Sequence, residues 1–209
     1  MWKREGNESP AKEKARPGKR GRSVHVLILL LGLGVIGFLW ILFPDASLPE
    51  VERTALERVG ERLHLKGTQE PFTGILVTYY EDGELKARTE VRDGLLHGLS
   101  EGWYPDGTPE IREPFRKGRS HGTRVRWHPN GTMASRARIV DGELHGLFER
   151  WHDNGSLHQE IHMVEGQAHG PSRAFYPSGY LQAVVEMEKG SVLNREFWED
   201  GEKRWPGDR

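Results

Sequence analysis

Residues 151–155 read WHDNG, and the aromatic, imidazole, carboxylate and amide groups in this stretch are types that occur in active sites. The chain also has 10 histidines, which raises the question of a metal centre. Four of them recur at intervals of 24 residues, at His97, His121, His145 and His169. If each interval is one unit of two strands, successive histidines lie about 10 Å apart. Imidazoles that share a zinc ion each need a nitrogen about 2.1 Å from it, so this column cannot form one site.

Two shorter motifs resemble known signatures but lack the context that their chemistry needs. Residues 158–162 read HQEIH, whereas the zinc-protease signature is H-E-x-x-H on a helix, and this segment alternates as a strand. Gly32, Gly34 and Gly37 spell G-x-G-x-x-G, but the apolar run continues past them where a dinucleotide-binding helix would begin. We therefore predict no catalytic residue, no metal and no cofactor, and we expect that the protein is not an enzyme.

The N-terminal residues predict a membrane anchor. A mean hydropathy of −0.68 excludes a multi-span membrane protein, yet residues 24–43 contain no Asp, Glu, Lys or Arg, and about twenty apolar residues cross a bilayer as a helix. Residues 1–22 hold eight Lys and Arg against three Glu. The positive-inside rule then predicts a disordered cytoplasmic tail at 1–23, a transmembrane helix at 24–43, and the remainder outside the inner membrane. Membrane orientation accounts for the basic flank, so no nucleic-acid partner is predicted.

A cleaved signal peptide is the competing interpretation of this segment. Its apolar core would have about 7–15 residues and would precede a small-residue cleavage site. The run at 24–43 is longer and is followed by residues 43–50, FPDASLPE, so an uncleaved anchor is favoured.

Residues 44–70 predict a short juxtamembrane helix followed by a linker. Ser47 and Glu50 have the spacing of a capping box, and apolar residues recur every four positions at Val51, Ala55, Val59 and Leu63. Such a helix would act as a spacer, or as a dimerisation stalk of barely two heptads.

From residue 71 to residue 205 the chain repeats with a period of 24 residues. The four His-Gly dipeptides keep this period, and Thr73-Gly74 has the same phase one unit earlier. Two further columns of glycine mark turns, one at Gly83, Gly107, Gly131, Gly155 and Gly179 and the other at Gly94, Gly118, Gly142, Gly166 and Gly190. The units predicted on this basis are 72–94, 96–118, 120–142, 144–166, 168–190 and a partial unit at 191–205.

Each unit predicts two strands, because polar and apolar residues alternate between the turns. The first strand of each unit ends in an aromatic residue, which we interpret as one rung of a buried ladder formed by Tyr79, Trp103, Trp127, Trp151, Phe175 and Phe197. The second strand has one apolar and one mostly polar face, as in residues 85–92. The predicted fold is an all-β repeat, an elongated antiparallel meander of hairpins of about 24 residues.

The repeated unit resembles the MORN repeat, and in particular the variant form in bacterial YwqK-family antitoxin proteins. Residues 72–94, FTGILVTYYEDGELKARTEVRDG, carry the resemblance most closely, and it extends over about residues 72–204. The resemblance implies a sheet of repeated β-hairpins and a role in molecular interaction. It implies no catalytic residue.

Six arginines of the second and third units are predicted to fall on the polar phase of adjacent strands: Arg112, Arg116, Arg124, Arg126, Arg136 and Arg138. Guanidinium groups suit an anionic partner such as a lipid headgroup, a cell-wall polymer or an acidic protein. The alternative is a solvated face that Glu110 and Glu149 neutralise. The sequence thus predicts a membrane-anchored protein-interaction or scaffolding module with an unidentified protein partner. The alternative is a membrane-tethered antitoxin or immunity-type factor that neutralises a toxin.

Overall fold

In the computed structural model, which describes residues 48–205, this part of the chain is β-structure apart from one turn of 3₁₀ helix at Arg53–Ala55. The predicted tail at 1–23 and the predicted membrane helix at 24–43 lie outside the described residues. Within residues 48–205 no helix has the length and apolar character needed to cross a membrane. The strands are β1 (Glu50–Glu52), β2 (Leu56–Val59), β3 (Arg62–Leu65), β4 (Gly74–Tyr79), β5 (Leu85–Arg92), β6 (Leu95–Trp103), β7 (Pro109–Arg116), β8 (Arg119–Ser120), β9 (Gly122–Trp127), β10 (Met133–Val140), β11 (Glu143–Trp151), β12 (Leu157–Val164), β13 (Gln167–Ala168), β14 (Gly170–Phe175), β15 (Leu181–Glu188) and β16 (Ser191–Phe197).

The repeats form one long sheet. Its strands follow the order β1-β4-β5-β6-β7-β9-β10-β11-β12-β14-β15-β16, with β8 on β7 and β13 on β12. From β4 onward each strand is antiparallel to its neighbour, and only β1 pairs in parallel, with β4. The predicted all-β meander of repeated hairpins is therefore confirmed for this range.

The second glycine column closes the tight turns between units. Arg92 pairs with Leu95, so Asp93 and Gly94 alone make the turn, with φ of 51° and 75°. Positive φ at both central residues defines a type I′ turn, whose twist matches that of antiparallel strands. Positive φ occurs at the same two positions of the next four units, at Lys117-Gly118, Asp141-Gly142, Glu165-Gly166 and Lys189-Gly190.

The His-Gly dipeptides mark irregularities in the strands that follow these turns. Thr89 pairs with Ser100 and Val91 with Leu96, so residues 97–99 bulge opposite Glu90 alone. A side chain at Gly98, where φ is 74°, would collide with the Glu90 carboxylate. Residues 145–147 bulge in the same way opposite Arg138. The period of the His-Gly pair therefore records a β-bulge in each unit, which has a structural role.

The predicted helix over residues 47–63 is wrong. The segment forms β1, the 3₁₀ turn and a hairpin of β2 and β3, in which Val59 pairs with Arg62. The turn residue Gly60 has φ of 61°, a conformation that glycine adopts without strain. Spacing of four residues fits either structure over so short a segment, and burial against the sheet decides between them.

This hairpin covers the first unit of the repeat. Leu56 and Leu63 form a buried cluster with Phe72 and Val91. The backbone N–H of Leu63 donates to the carbonyl of Gly94 at 2.8 Å, which fixes the hairpin to the first type I′ turn. Much of the segment predicted as juxtamembrane helix and linker thus belongs to the folded sheet domain and protects its N-terminal end.

Candidate interaction surfaces

The strand register sorts the side chains onto two faces, because directly paired residues of antiparallel strands share a face. We call one the charged face. It is defined by a row of paired positions that runs across the strands: Arg88, Glu101, Arg112, Val125, Arg136, Glu149, Glu160 and Arg173. We call the other the apolar face, and its neighbouring row is Leu76, Thr89, Ser100, Glu113, Arg124, Ala137, Phe148 and Ile161.

Ion pairs link neighbouring strands across the charged face. Arg112 lies 3.7 Å from Glu101, and Arg136 lies 2.7 Å from Glu149. Arg173 lies 3.4 Å from Glu160 in a later unit. Pairs at this exposure contribute about 0.2–1 kcal/mol each. Two of the six predicted arginines, Arg112 and Arg136, therefore already have carboxylate partners within the sheet.

Arg116 belongs to a separate cluster at a turn. Its Nη2 donates to Asp141 Oδ1 at 3.0 Å, and His121 Nδ1 lies 3.1 Å from the same oxygen. The hydrogen bond from Arg116 holds the pKa of Asp141 below its ordinary value. Asp141 is also the first residue of a type I′ turn, so the cluster ties that turn to the preceding unit. No three His, Asp or Glu side chains among the residues with described structure form a group suited to a metal ion.

Arg124 and Arg126 lie on the apolar face, so the six arginines do not share one face as predicted. Ile111 pairs with Arg126 and Arg112 pairs with Val125, which places Arg126 opposite in phase to Arg112. Arg124 lies 3.5 Å from Glu113. Arg138 pairs with Thr123 and lies exposed on the charged face.

An arginine that the sequence analysis missed completes the basic group on the apolar face. Ser135 pairs with Arg126 on one side and with Arg150 on the other. The two arginines occupy equivalent positions of successive units, immediately before Trp127 and Trp151, so the period of 24 residues was the signal that could have found Arg150. Within residues 48–205 neither guanidinium lies within ion-pair distance of a carboxylate.

The residue after each aromatic rung connects one unit to the next. Tyr80 and Tyr104 donate from their hydroxyls to the carbonyls of Trp103 and Trp127, at 2.7 and 2.8 Å. His152 Nε2 lies 2.9 Å from the carbonyl of Phe175 in the corresponding place. Because a carbonyl only accepts, His152 must carry a proton on Nε2. Equivalent bonds join His128 to Trp151 and Tyr176 to Trp198.

The remainder of WHDNG is a turn. Asn154 Nδ2 donates to the carbonyl of Pro177 at 2.9 Å, and Asn154 Oδ1 accepts from the backbone N–H of Ser156. Asn130 makes the same two kinds of bond one unit earlier. WHDNG therefore holds the hairpin closed and connects it to its neighbour, so its polar groups are used in folding.

The six aromatic rungs differ in burial, so they do not form one buried ladder. Phe175 is buried, whereas Tyr79 and Phe197 are exposed and Trp103, Trp127 and Trp151 are half-buried. The tryptophans lie two residues beyond charged-face positions and share that face. The guanidinium of Arg136 lies 5.8 Å from the centre of the Trp151 ring, a cation–π contact.

His152 also contacts a second histidine, His158, with ring centres 4.3 Å apart. Burial lowers the pKa of His158 from its ordinary value of 6.5, and the nearby His152 and Arg150 lower it further. A histidine whose folded-state pKa is depressed stabilises the fold above the unfolded-state value, and this contribution is lost as the pH falls below it. The pair therefore makes this unit sensitive to mild acid.

We expect that His158→Gln reduces the loss of thermal stability on going from about pH 7.5 to about pH 5.5. The neutral amide has no proton to gain, so it removes the penalty for charging this position. Melting temperatures at several pH values give the measurement. His162→Gln, at an exposed position of the same strand, is the control and should retain the wild-type dependence. An unchanged dependence in His158→Gln would exclude the histidine pair as its source.

The last strand forms one edge of the sheet. All seven residues of β16 are exposed, including Val192, Leu193 and Phe197. An exposed apolar edge strand is a template for pairing with a further strand. At the N-terminal end, a groove of about 390 Å³ lies beside the hairpin, lined by Arg58, Glu61, Lys117 and Arg119 among others.

Comparison with known families agrees with the repeat that the fold displays. Residues 144–165 match the MORN repeat variant. This stretch corresponds within one residue to the predicted fourth unit and contains WHDNG. No curated protein matches the chain. A MORN repeat variant is thus present in the chain, and this kind of repeat indicates a protein-interaction module.

Proposed function

We propose that this protein is a protein-interaction module, displayed outside the inner membrane by an anchor at residues 24–43. The observation that carries the proposal is the division between repeated and variable side chains. Glycines, turn amides and hydrogen-bonding Tyr or His recur in each unit and build the sheet. Other surface positions change from unit to unit, as a recognition surface requires.

The apolar face illustrates this variation. Starting from Thr78, positions 24 residues apart hold Gly102, Arg126, Arg150 and Ala174. These residues vary in size and charge while their backbones keep equivalent places in the ladder. Variation on a constant backbone supports binding of a specific partner and is not needed for folding.

Crosslinking in intact membranes tests the proposed function. The tagged full chain is crosslinked before solubilisation, and captured proteins are compared with those from a control that carries residues 1–47 alone. We expect a discrete protein enriched by the full chain. Equal capture by both proteins would contradict the proposal, because it would show that the sheet domain adds no interaction.

The topology has its own test. A reporter that is active only outside the inner membrane is fused after residue 209, which leaves the sheet intact. Activity is expected from the distribution of basic residues around 24–43. An inactive reporter, together with a fluorescent one that matures in the cytoplasm, would contradict the proposed display.

An antitoxin or immunity-type role is a narrower form of the same proposal. It requires that the captured partner be a toxin and that loss of this protein be lethal only when that partner is present. No contact among residues 48–205 favours a toxin over other protein partners, so the broader function is the one proposed.

A further inference from the structure

Arg126 and Arg150 flank a small residue at the centre of the apolar face. Both pair directly with Ser135, on the strands to either side of it. Their Cα atoms are thus two strand spacings apart, about 10 Å. Side chains of this length can converge over Ser135 on one anionic group, or bind two such groups a short distance apart.

The neighbours on this face leave the two guanidinium groups without an acid. Beyond them in the same row lie Ile111, paired with Arg126, and Gln159, paired with Arg150. In the next row Glu113 is engaged by Arg124. Both Arg126 and Arg150 are exposed, so neither is committed to a contact inside the sheet.

The surroundings of the two arginines are opposite in charge to the domain as a whole. Residues 48–205 contain 21 Lys and Arg against 26 Asp and Glu, a net charge of −5. General electrostatic attraction therefore repels anions from this domain, and a local basic site selects a ligand that brings few negative charges. An anionic membrane surface presents many charges at once and is disfavoured for the same reason.

The floor beside the arginines is apolar. Ala137 is buried next to Ser135 on β10, and Phe148 and Ile161 continue its row as half-buried residues. A ligand that places carboxylates on the guanidinium groups and apolar side chains on this row would bury surface of both kinds. An extended protein segment with alternating acidic and apolar residues has this composition.

We propose that Arg126 and Arg150 form a carboxylate-binding cleft over Ser135 that takes an acidic segment of a partner protein. The cleft rests on the proposed function, since it assigns the chemistry of the partner and the place where it binds. Each guanidinium presents a planar set of donors that matches a carboxylate in bidentate geometry. Phe148 and Ile161 supply the apolar part of the contact.

The test uses the full chain in detergent micelles and a fluorescein-labelled peptide, Gly-Leu-Glu-Thr-Glu-Leu-Gly. A matched peptide replaces both glutamates by glutamine. We expect the acidic peptide to bind at least tenfold more tightly by fluorescence anisotropy. Binding of both peptides with equal affinity, or of neither, would overturn the cleft.

Variants then locate the site. The double variant Arg126→Glu with Arg150→Glu should lose at least tenfold in affinity for the acidic peptide. Arg138→Glu, at an exposed position on the charged face, makes a charge change of the same kind at one site and should stay within about threefold of wild type. An equal loss in Arg138→Glu would show that general electrostatics is the cause and would overturn the proposal. Melting temperatures confirm that each variant is folded.

Competition distinguishes the source of the anion. Inorganic phosphate and vesicles of phosphatidylglycerol and phosphatidylcholine should leave peptide binding unchanged, and displacement by vesicles would overturn the choice of a protein partner. The crosslinked partner separates this proposal from the broader one. If the double variant still captures it, the cleft is wrong and the protein-interaction function stands. If the full chain captures no partner beyond the 1–47 control, the function itself is wrong.

Discussion

Leu181→Ala is expected to lower the free energy of unfolding by about 2–5 kcal/mol. Leu181 has no solvent-exposed surface, and it pairs with the buried Phe175 on the adjacent strand. Removing three carbon atoms from such a site loses the transfer free energy of those atoms and leaves a cavity. Chemical denaturation of the folded domain measures the change.

Leu193→Ala is the matched control for this substitution. Leu193 lies on the edge strand β16 and is 62 % exposed, so the same chemical change should alter stability by less than about 0.5 kcal/mol. Similar losses at both positions would show that β16 is covered in the folded protein. A small loss at Leu181 would mean that the fifth unit has no packed core.

The second large effect is expected at Leu63, where Leu63→Ala should cost about 2–5 kcal/mol. Leu63 is 6 % exposed and packs with Leu56, Phe72 and Val91 in the cluster that joins the β2–β3 hairpin to the first unit. The substitution should therefore weaken both the hairpin and the end of the sheet that it covers. Denaturation curves and protease sensitivity near Gly60 give the measurement.

Val59→Ala decides between the hairpin and the helix that the sequence predicts. On a helix, Val59 and Leu63 are four residues apart and share a buried face, so both substitutions would destabilise the protein. In the hairpin Val59 is 55 % exposed, and Val59→Ala should change stability by less than about 0.5 kcal/mol. Comparable losses at the two positions would contradict the hairpin.

The repeat could be predicted from the sequence because its signals are local. The turn glycines need positive φ, and the His-Gly pair marks a bulge, so both recur with the period of the fold. The partners of these residues one unit later follow from the same period. This explains why WHDNG could be assigned to folding from its equivalents in other units before the hydrogen bonds of His152 and Asn154 were seen.

The faces of the arginines could not be predicted in the same way. A shift of one residue in register moves every side chain of a strand to the opposite face, and the bulges near the His-Gly pairs shift the register within each unit. Alternation within residues 122–127 fixes that Arg124 and Arg126 share a face. It does not fix which face this is relative to Arg112, because that depends on the pairing of β7 with β9.

The hairpin at residues 56–65 shows a different reason for failure. Apolar residues four apart fit one face of a helix, while the burial that stabilises the hairpin comes from Phe72 and Val91 of the repeat. Local spacing contains no information on that partner surface. Gly60 was the one local signal against the helix, since glycine inside a helix costs about 1 kcal/mol relative to alanine.

Site-specific photocrosslinking in living cells tests the central claim most directly, that repeated residues build the sheet while its apolar face binds a protein. A photoreactive amino acid replaces Ser135 on the apolar face or, as the control, Thr123, which pairs with Arg138 on the charged face. The account predicts a discrete protein adduct from position 135 that is lost when Arg126 and Arg150 are changed to glutamate, and none from position 123. Adducts of equal yield from both positions, or from neither, would contradict it.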